Sequence, residues 1–312
     1  MSTTTTLVPL LEQAREFLRQ AKAENTRRAY RSDWAHFDVW CSGQGMSALP
    51  AAEKTLALYF TELAATHKVS TLQRRLASIS QAHLTAGFES PSRGAIVRNL
   101  LAGIRRAKGT RPDVKTPILT EDLRLMIQAI PDTLAGSRDR ALLLIGFVGA
   151  FRRSELVALD FEDLEFQREG VVVTVRRSKT DPEGQGRRLG IPLGSGKTCP
   201  VRALEKWLEV AHIETGAVFR AIDRHDHIRD ARLSDRSVAG IVKRWTETAG
   251  LDPGKYAGHS LRAGLATSAA RAGASERAIM NQTGHRSVQM VRRYIREGEV
   301  FGGENVATIV GL

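Results

Sequence analysis

One short stretch divides this chain before any helix or strand is assigned. Lys108-Gly109-Thr110-Arg111-Pro112-Asp113-Val114-Lys115-Thr116-Pro117 carries two prolines, a glycine and no apolar periodicity. Proline fixes φ and lacks a backbone donor, so neither a helix nor a central strand runs through it, and it reads as an extended linker. The chain on either side must then build its own core, which 312 residues, 42% of them hydrophobic, can supply. The expected organisation is a helical unit at 1–108, a linker at 109–117 and a larger unit at 118–312.

Before the linker the apolar residues keep helical spacing. Leu11 to Leu18 begins it, after a Ser-Thr run that reads as a frayed tail. From Asn25, Tyr30, Trp34, Phe37 and Cys41 recur at i, i+4, i+7 and i+11, leaving Arg27, Arg28 and Arg31 largely off that face. Ala51 to Ala65, Thr71 to Ala86 and Gly94 to Lys108 read as three more helices. The second of these has Leu72, Leu76, Ile79 and His83 as its stripe and Gln73, Arg74 and Arg75 outside it; Arg105 and Arg106 sit near the end of the third.

After the linker the period changes. Thr120 is an expected N-cap for a helix over Glu121 to Ile130, and Ser137 for an apolar helix reaching Ala150. Arg152-Arg153-Ser154-Glu155-Leu156 opens a short helix. Phe161 to Gln167, Gly170 to Arg177 and Arg187 to Leu193 read as strands, with Val171-Val172-Val173 the clearest β signal. Lys179 falls in the Gly-, Pro- and Asp-rich turn between the last two. Val201 to Ala211 is a helix, Ala217 to Arg232 reads as a polar loop, and Ser234 caps a helix to about Ala249 with Arg236 in its first turn. The fold class is therefore mainly α with a small β-sheet.

Charge narrows the partner. A net +12 favours a polyanion, and residues 1–110 hold 15 Lys/Arg against 8 Asp/Glu, which points to a DNA-gripping helical unit. Arg27, Arg28, Arg74, Arg75, Arg105 and Arg106 are its candidate contacts. Cys41 and Cys199 are too few for a disulfide framework, and His225, Asp226 and His227 crowd too closely for a metal site, so no metal is assigned. Met1 to Leu10 lacks the pattern of a signal peptide, and the longest apolar run, Ala141 to Phe151, is too short for a bilayer. A cytoplasmic, nucleoid-associated protein with no membrane partner is expected.

The chemistry gathers in the last third: Gly258-His259-Ser260-Leu261-Arg262, then Gly284-His285, then Tyr294 nine residues on. His259 and Arg262 share a face if that segment is helical. Each piece has an ordinary explanation: a helix cap for His259, a core tyrosine at the edge of Val288, Val291 and Ile295, a Glu155 ion pair for Arg152, a solvated turn for Lys179. In this order they fit a phosphodiester site. A tyrosine attacking phosphorus builds negative charge that fixed guanidiniums stabilise, and Arg152 and Arg262 are the two clamps. His259 can donate to phosphate or take the tyrosine proton, His285 can donate a further hydrogen bond, and Lys179 can protonate the leaving oxygen.

These residues resemble the tyrosine recombinases, the phage-integrase family, and within it the Cre-like members. Arg152 and Glu155 match the family's first arginine motif, Lys179 its hairpin lysine, His259 and Arg262 its H-x-x-R, His285 its His-or-Trp position and Tyr294 its nucleophile. The resemblance is tightest from Ala257 to Ile295. It implies a C-shaped clamp of a helical core-binding domain and an α/β catalytic domain around duplex DNA, with four protomers on two sites, each a pair of inverted repeats. It implies strand exchange through a 3′-phosphotyrosine and a Holliday junction, with no cofactor, neither ATP nor metal. A tail helix at 304–312, with Val306, Ile309 and Val310 as its apolar face, is expected to dock on a neighbouring protomer. The competing readings are a type IB topoisomerase or telomere-resolvase-like enzyme, and a DNA-binding protein without catalysis.

Overall fold

The structure, a computed structural model, describes residues 9–10, 12–14, 16–17, 22–110, 114–179, 181 and 183–298, the side chains of 297 and 298 excepted. The chain forms two compact units, Met1–Asp113 and Val114–Leu312.

The first unit packs α1 (Glu24–Gly43), α2 (Glu53–Thr66), α3 (Val69–Thr85) and α4 (Ala95–Lys108). The expected stripes meet in its core, where Phe37, Cys41, Leu56, Tyr59, Phe60, Leu72, Ile79 and Val97 lie buried. His83 is fully buried because both ring nitrogens are satisfied: Nδ1 pairs with the Ile79 carbonyl at 2.8 Å and Nε2 accepts the Ala51 N–H at 2.9 Å. Arg75 corrects the sequence reading. It faces inward, 8% exposed, where Nη1 lies 2.8 Å from both His36 Nδ1 and the Tyr59 hydroxyl, with Asp33 at 3.7 Å. A guanidinium enclosed in that polar cluster has no face for DNA. Arg74, about half exposed and paired with Asp33 at 2.9 Å, reaches solvent, as do the exposed Arg28, Arg105 and Arg106 and the partly exposed Arg27.

The second unit is built on α6 (Leu134–Val148), preceded by α5 (Thr120–Ala129). The run Ala141 to Phe147 is buried on all sides, so α6 is a central helix rather than an amphipathic one. Its cap is Thr133, whose Oγ1 accepts the Gly136 N–H at 3.0 Å; the expected cap, Ser137, lies buried inside the helix. α5 likewise starts at Thr120, one residue ahead of expectation, with the Asp122 carboxylate accepting the Leu119 N–H at 3.1 Å. After α7 (Arg153–Ala158), β1 (Leu164–Gln167), β2 (Gly170–Val175) and β3 (Arg187–Pro192) form an antiparallel sheet in that order. Val173 pairs with Leu189 and Val171 with Ile191, which puts the apolar members of both strands on the core side. α8 (Pro200–Val210) covers α6.

Residues 217–232 are not the expected loop. They form a hairpin, β4 (Arg220–Ile222) and β5 (Ile228–Arg232), whose turn is held by the Asp223 carboxylate accepting the N–H groups of His225 and His227. The charged residues that read as loop are its solvent side. α9 (Asp235–Thr248) is capped by Ser234, and its Trp245 donates to the buried Asp139 carboxylate at 2.8 Å. α10 (Ser260–Arg271), α11 (Glu276–Thr283) and α12 (Val288–Gly298) complete the described part. Residues 304–312 lie outside the described residues. No described helix is long and apolar enough to cross a membrane.

Candidate active site

Two close approaches set α10 against the core. The Gly264 position touches the backbone of Ile118, where an added Cβ would stand 1.8 Å from the carbonyl oxygen, and the Ile118 N–H donates to the Ser260 carbonyl at 3.0 Å. Only glycine permits this packing depth. It places Arg262, 1% exposed, behind the turn joining α6 to α7, where Nη1 donates to the Ala150 carbonyl at 2.6 Å. Ala150 has φ 46°, a left-handed conformation unfavourable for alanine, which the buried turn holds so that its carbonyl faces Arg262. Among the described residues Arg262 Nη2 is buried without a hydrogen-bond partner, so this cation keeps an unused donor there.

The same turn presents Arg152, whose N–H donates to the Glu155 carboxylate at 3.0 Å while its guanidinium bonds Glu155 and, at 2.8 Å, Ser178 Oγ. Glu155 is 3% exposed, and although burial opposes its charge, bonds from Arg152 hold its carboxyl below the usual range. Ser178 ends the run from β2, so Lys179, exposed in the following turn, is carried to the edge of the cluster by its neighbour's bond to Arg152.

α12 brings Tyr294 in from the other side. Val291 and Tyr294 are buried against Ala263, Ala266, Ala270 and Ile279, and the Tyr294 hydroxyl lies 3.1 Å from His259 Nε2. His259, at the N-cap position of α10, reaches solvent at its outer edge. Desolvation of the inner edge, then Arg262 and Arg152, lowers its pKa, so it is a neutral proton acceptor at pH 7.

His285 follows Gly284, which ends α11 in the left-handed conformation at φ 65°. Its ring centroid is 5.8 Å from that of Tyr294. Thr283 Oγ1 gives its proton to the Ile279 carbonyl at 2.7 Å and so accepts from His285 Nδ1, also at 2.7 Å. Nε2 is then the unprotonated nitrogen of a neutral ring. Burial first, then Arg262 and Arg152, lowers the His285 pKa to about 4. The expected donor role of His285 therefore requires protonation, which an arriving phosphate anion favours.

Six of the seven residues singled out in the sequence thus converge directly, and Lys179 adjoins them. Sequence reasoning missed Arg187, which sits among them 21% exposed, 3.8 Å from Glu155 and donating to the Gln282 carbonyl at 2.9 Å. Strand parity carried the signal, because Arg187 shares the inward face of β3 with Leu189 and Ile191. Arg236 is exposed in the first turn of α9, outside this cluster. Among the described residues no group of three His, Cys, Asp or Glu could hold a metal ion.

Residues 118–299 match the phage integrase family. An integrase/recombinase xerD homolog of Selenomonas ruminantium is 45% identical over 92% of this chain and 86% of that protein. Recombinase cre of Escherichia phage P1 is 26% identical over 89% of this chain and 85% of its own. The XerH site-specific recombinase, solved bound to palindromic difH substrate in a post-cleavage complex, shares the fold at TM-score 0.63 and 17% identity, covering 83% of this chain and 72% of that one.

Proposed function

The chain belongs to the phage integrase family of tyrosine site-specific recombinases, and on that premise we propose that Tyr294 cuts and rejoins duplex DNA within the cluster of Arg152, Lys179, His259, Arg262 and His285. The observation that carries this reading is the 3.1 Å contact between the Tyr294 hydroxyl and His259 Nε2, beside a buried Arg262 with an unused donor.

In this reading the Tyr294 oxygen attacks phosphorus as its proton passes to His259. Arg262 and Arg152 hold the non-bridging oxygens, on which charge grows, and cost no reorganisation because Ala150 and Glu155 already fix them. The bond from phosphorus to the 5′ oxygen breaks and Lys179 protonates the departing oxygen, leaving a 3′-phosphotyrosine and a free 5′-hydroxyl. A 5′-hydroxyl from a second duplex then attacks the same phosphorus and expels the tyrosine, giving a Holliday junction. The covalent ester conserves the phosphodiester bond energy, so the sequence of steps calls for neither ATP nor a metal.

The remaining parts follow the family. Residues 1–108 form the core-binding domain, with Arg27, Arg28, Arg74, Arg105 and Arg106 on backbone phosphates, and residues 118–312 the catalytic domain, with Arg236 on α9 at a base edge. Four protomers join two duplex sites, each a pair of inverted repeats, and residues 304–312 dock on the neighbouring protomer. The protein acts on DNA in the cytoplasm. The test is a nicked suicide substrate carrying the recombination site. Wild type accumulates a covalent protein–DNA complex, whereas Tyr294→Phe binds equally and accumulates none; equal trapping by the Phe variant overturns the assignment.

A further inference from the structure

We infer that Arg187 is a positioning residue of the cleavage step, joining the return strand of the lysine hairpin to the turn that presents His285 while sharing Glu155 with Arg152. The inference rests on the proposed function, since it concerns the geometry of that site.

Three observations carry it. Arg187 begins β3, directly after the turn bearing Lys179, and points inward, its guanidinium 6.0 Å from the centre of the Phe151 ring. Its Nη1 donates at 2.9 Å to the Gln282 carbonyl near the end of α11, three residues before His285, while the Gln282 side chain donates to the Val148 carbonyl at 2.7 Å. β3, α11 and the end of α6 are thereby tied at one point. Its Nη2, buried without a hydrogen bond among the described residues, stands 3.8 Å from the Glu155 oxygen that accepts the Arg152 N–H.

Gly284 shows how closely the parts fit. A Cβ there would lie 3.2 Å from the Arg187 guanidinium carbon and would also strain a left-handed residue. The turn before His285 is thus moulded against Arg187, which also lines a cavity of about 280 Å³ with Ser178, Asp181 and His285. Asp181 takes the Gln185 and Gly186 N–H groups and faces Arg286 at 3.7 Å, so the hairpin meets the His285 turn at a second point. Arg187 is the inner of the two ties and the one that reaches Glu155.

Electrostatics points the same way. His285 is faced by Arg262 and His259 from α10, Arg152 from the turn before α7, Arg187 from β3 and Tyr294 from α12, and every cation among them disfavours a positive charge on the ring. Removing Arg187 relieves part of that repulsion and loosens the turn. A small displacement of a fixed catalytic group costs roughly 10²-fold in rate.

The experiment pairs two measurements on the full chain: single-turnover cleavage of the suicide substrate, and NMR titration of His285 in the protein without DNA. Arg187→Met should lower the cleavage rate by roughly 10²-fold, leave DNA affinity unchanged and raise the pH at which His285 titrates. Arg187→Lys should keep that titration near wild type yet cleave slowly, because one ammonium cannot serve both Gln282 and Glu155. If Arg187→Met melts well below wild type, Arg187→Lys carries the test alone. Cleavage by Arg187→Lys at the wild-type rate, or an unmoved His285 titration in a folded Arg187→Met, overturns the inference. Absence of any covalent complex in wild type would instead sink the recombinase reading, and the His285 titration would still judge Arg187.

Discussion

Replacing Asp139 by alanine should cost the catalytic unit about 3–5 kcal/mol, the usual penalty for breaking a buried ion pair. Asp139 is fully buried and one of its oxygens accepts both Nε and Nη2 of Arg138, at 2.9 and 2.8 Å; the other accepts Trp245 Nε1 at 2.8 Å. Without the carboxylate the Arg138 guanidinium, 6% exposed, keeps among the described residues only a long bond of 3.4 Å to the Arg220 carbonyl, and the indole N–H has no acceptor among them. These losses share one carboxylate, so they do not add independently. At about 2–4 °C per kcal/mol for a unit of this size, thermal denaturation should fall by roughly 6–20 °C. The Trp245–Asp139 bond also ties α6 to α9, so the helix carrying Arg236 should loosen first. Calorimetry of wild type and Asp139→Ala is the assay, with hydrogen exchange at the Asp235–Thr248 amides as its local readout. An unfolding free energy within about 1 kcal/mol of wild type, with protection of α9 unchanged, would refute the reasoning.

Further outcomes test single residues. A bridging 5′ sulfur needs little protonation to leave, so it should rescue Lys179→Ala far more than Arg152→Ala; equal rescue would move the general acid elsewhere. Arg236→Ala should cost about 1–3 kcal/mol at one base position, whereas Arg74→Ala should weaken binding to every sequence and reduce the salt slope by about 1. A uniform loss from Arg236→Ala would reduce that residue to a phosphate contact. Because burial and then Arg262 lower the His259 pKa in the free protein, the acid limb of kcat/KM for cleavage, which reports the free enzyme, should lie below that of an ordinary histidine, and a limb above it would exclude His259 as the acceptor. His285 ionises at about 4 when folded and near the usual 6.5 when unfolded, so between these values the unfolded chain binds more protons and stability is lost as pH falls. Urea midpoints across that window should fall less steeply for His285→Asn than for wild type, and equal slopes would contradict the shift.

Much of this was legible because its signals were local. Period-3.6 stripes placed α1 and α3, the valine run and its turn placed β2 and β3, and Ser234 marked the start of α9. The order of Arg152, Lys179, His259, Arg262, His285 and Tyr294 marked them as one candidate cluster although helices and strands separate them. What stayed hidden depends on tertiary context. Arg75 lies beside Arg74 in sequence, and only the packing of α1 and α2 decides that one turns to Asp33, His36 and Tyr59 while the other reaches solvent. The β4–β5 hairpin has charged residues on its exposed side and so lacks a clear alternation, and the cap of α6 fell to Thr133 because burial extends the helix by a turn beyond Ser137. Arg187 stood in the sequence only as the first residue of a strand, and its contacts with Glu155 and Gln282 depend on tertiary packing.

The most direct test of the central claim is to identify the atom that holds the DNA. The covalent complex formed on a suicide substrate is digested with protease and nuclease, and the nucleotide-bearing peptide is sequenced by mass spectrometry. The account predicts one peptide, modified on Tyr294 through a 3′-phosphate, with a 5′-hydroxyl on the released strand. Attachment at any other residue, or through a 5′-phosphate, would contradict it.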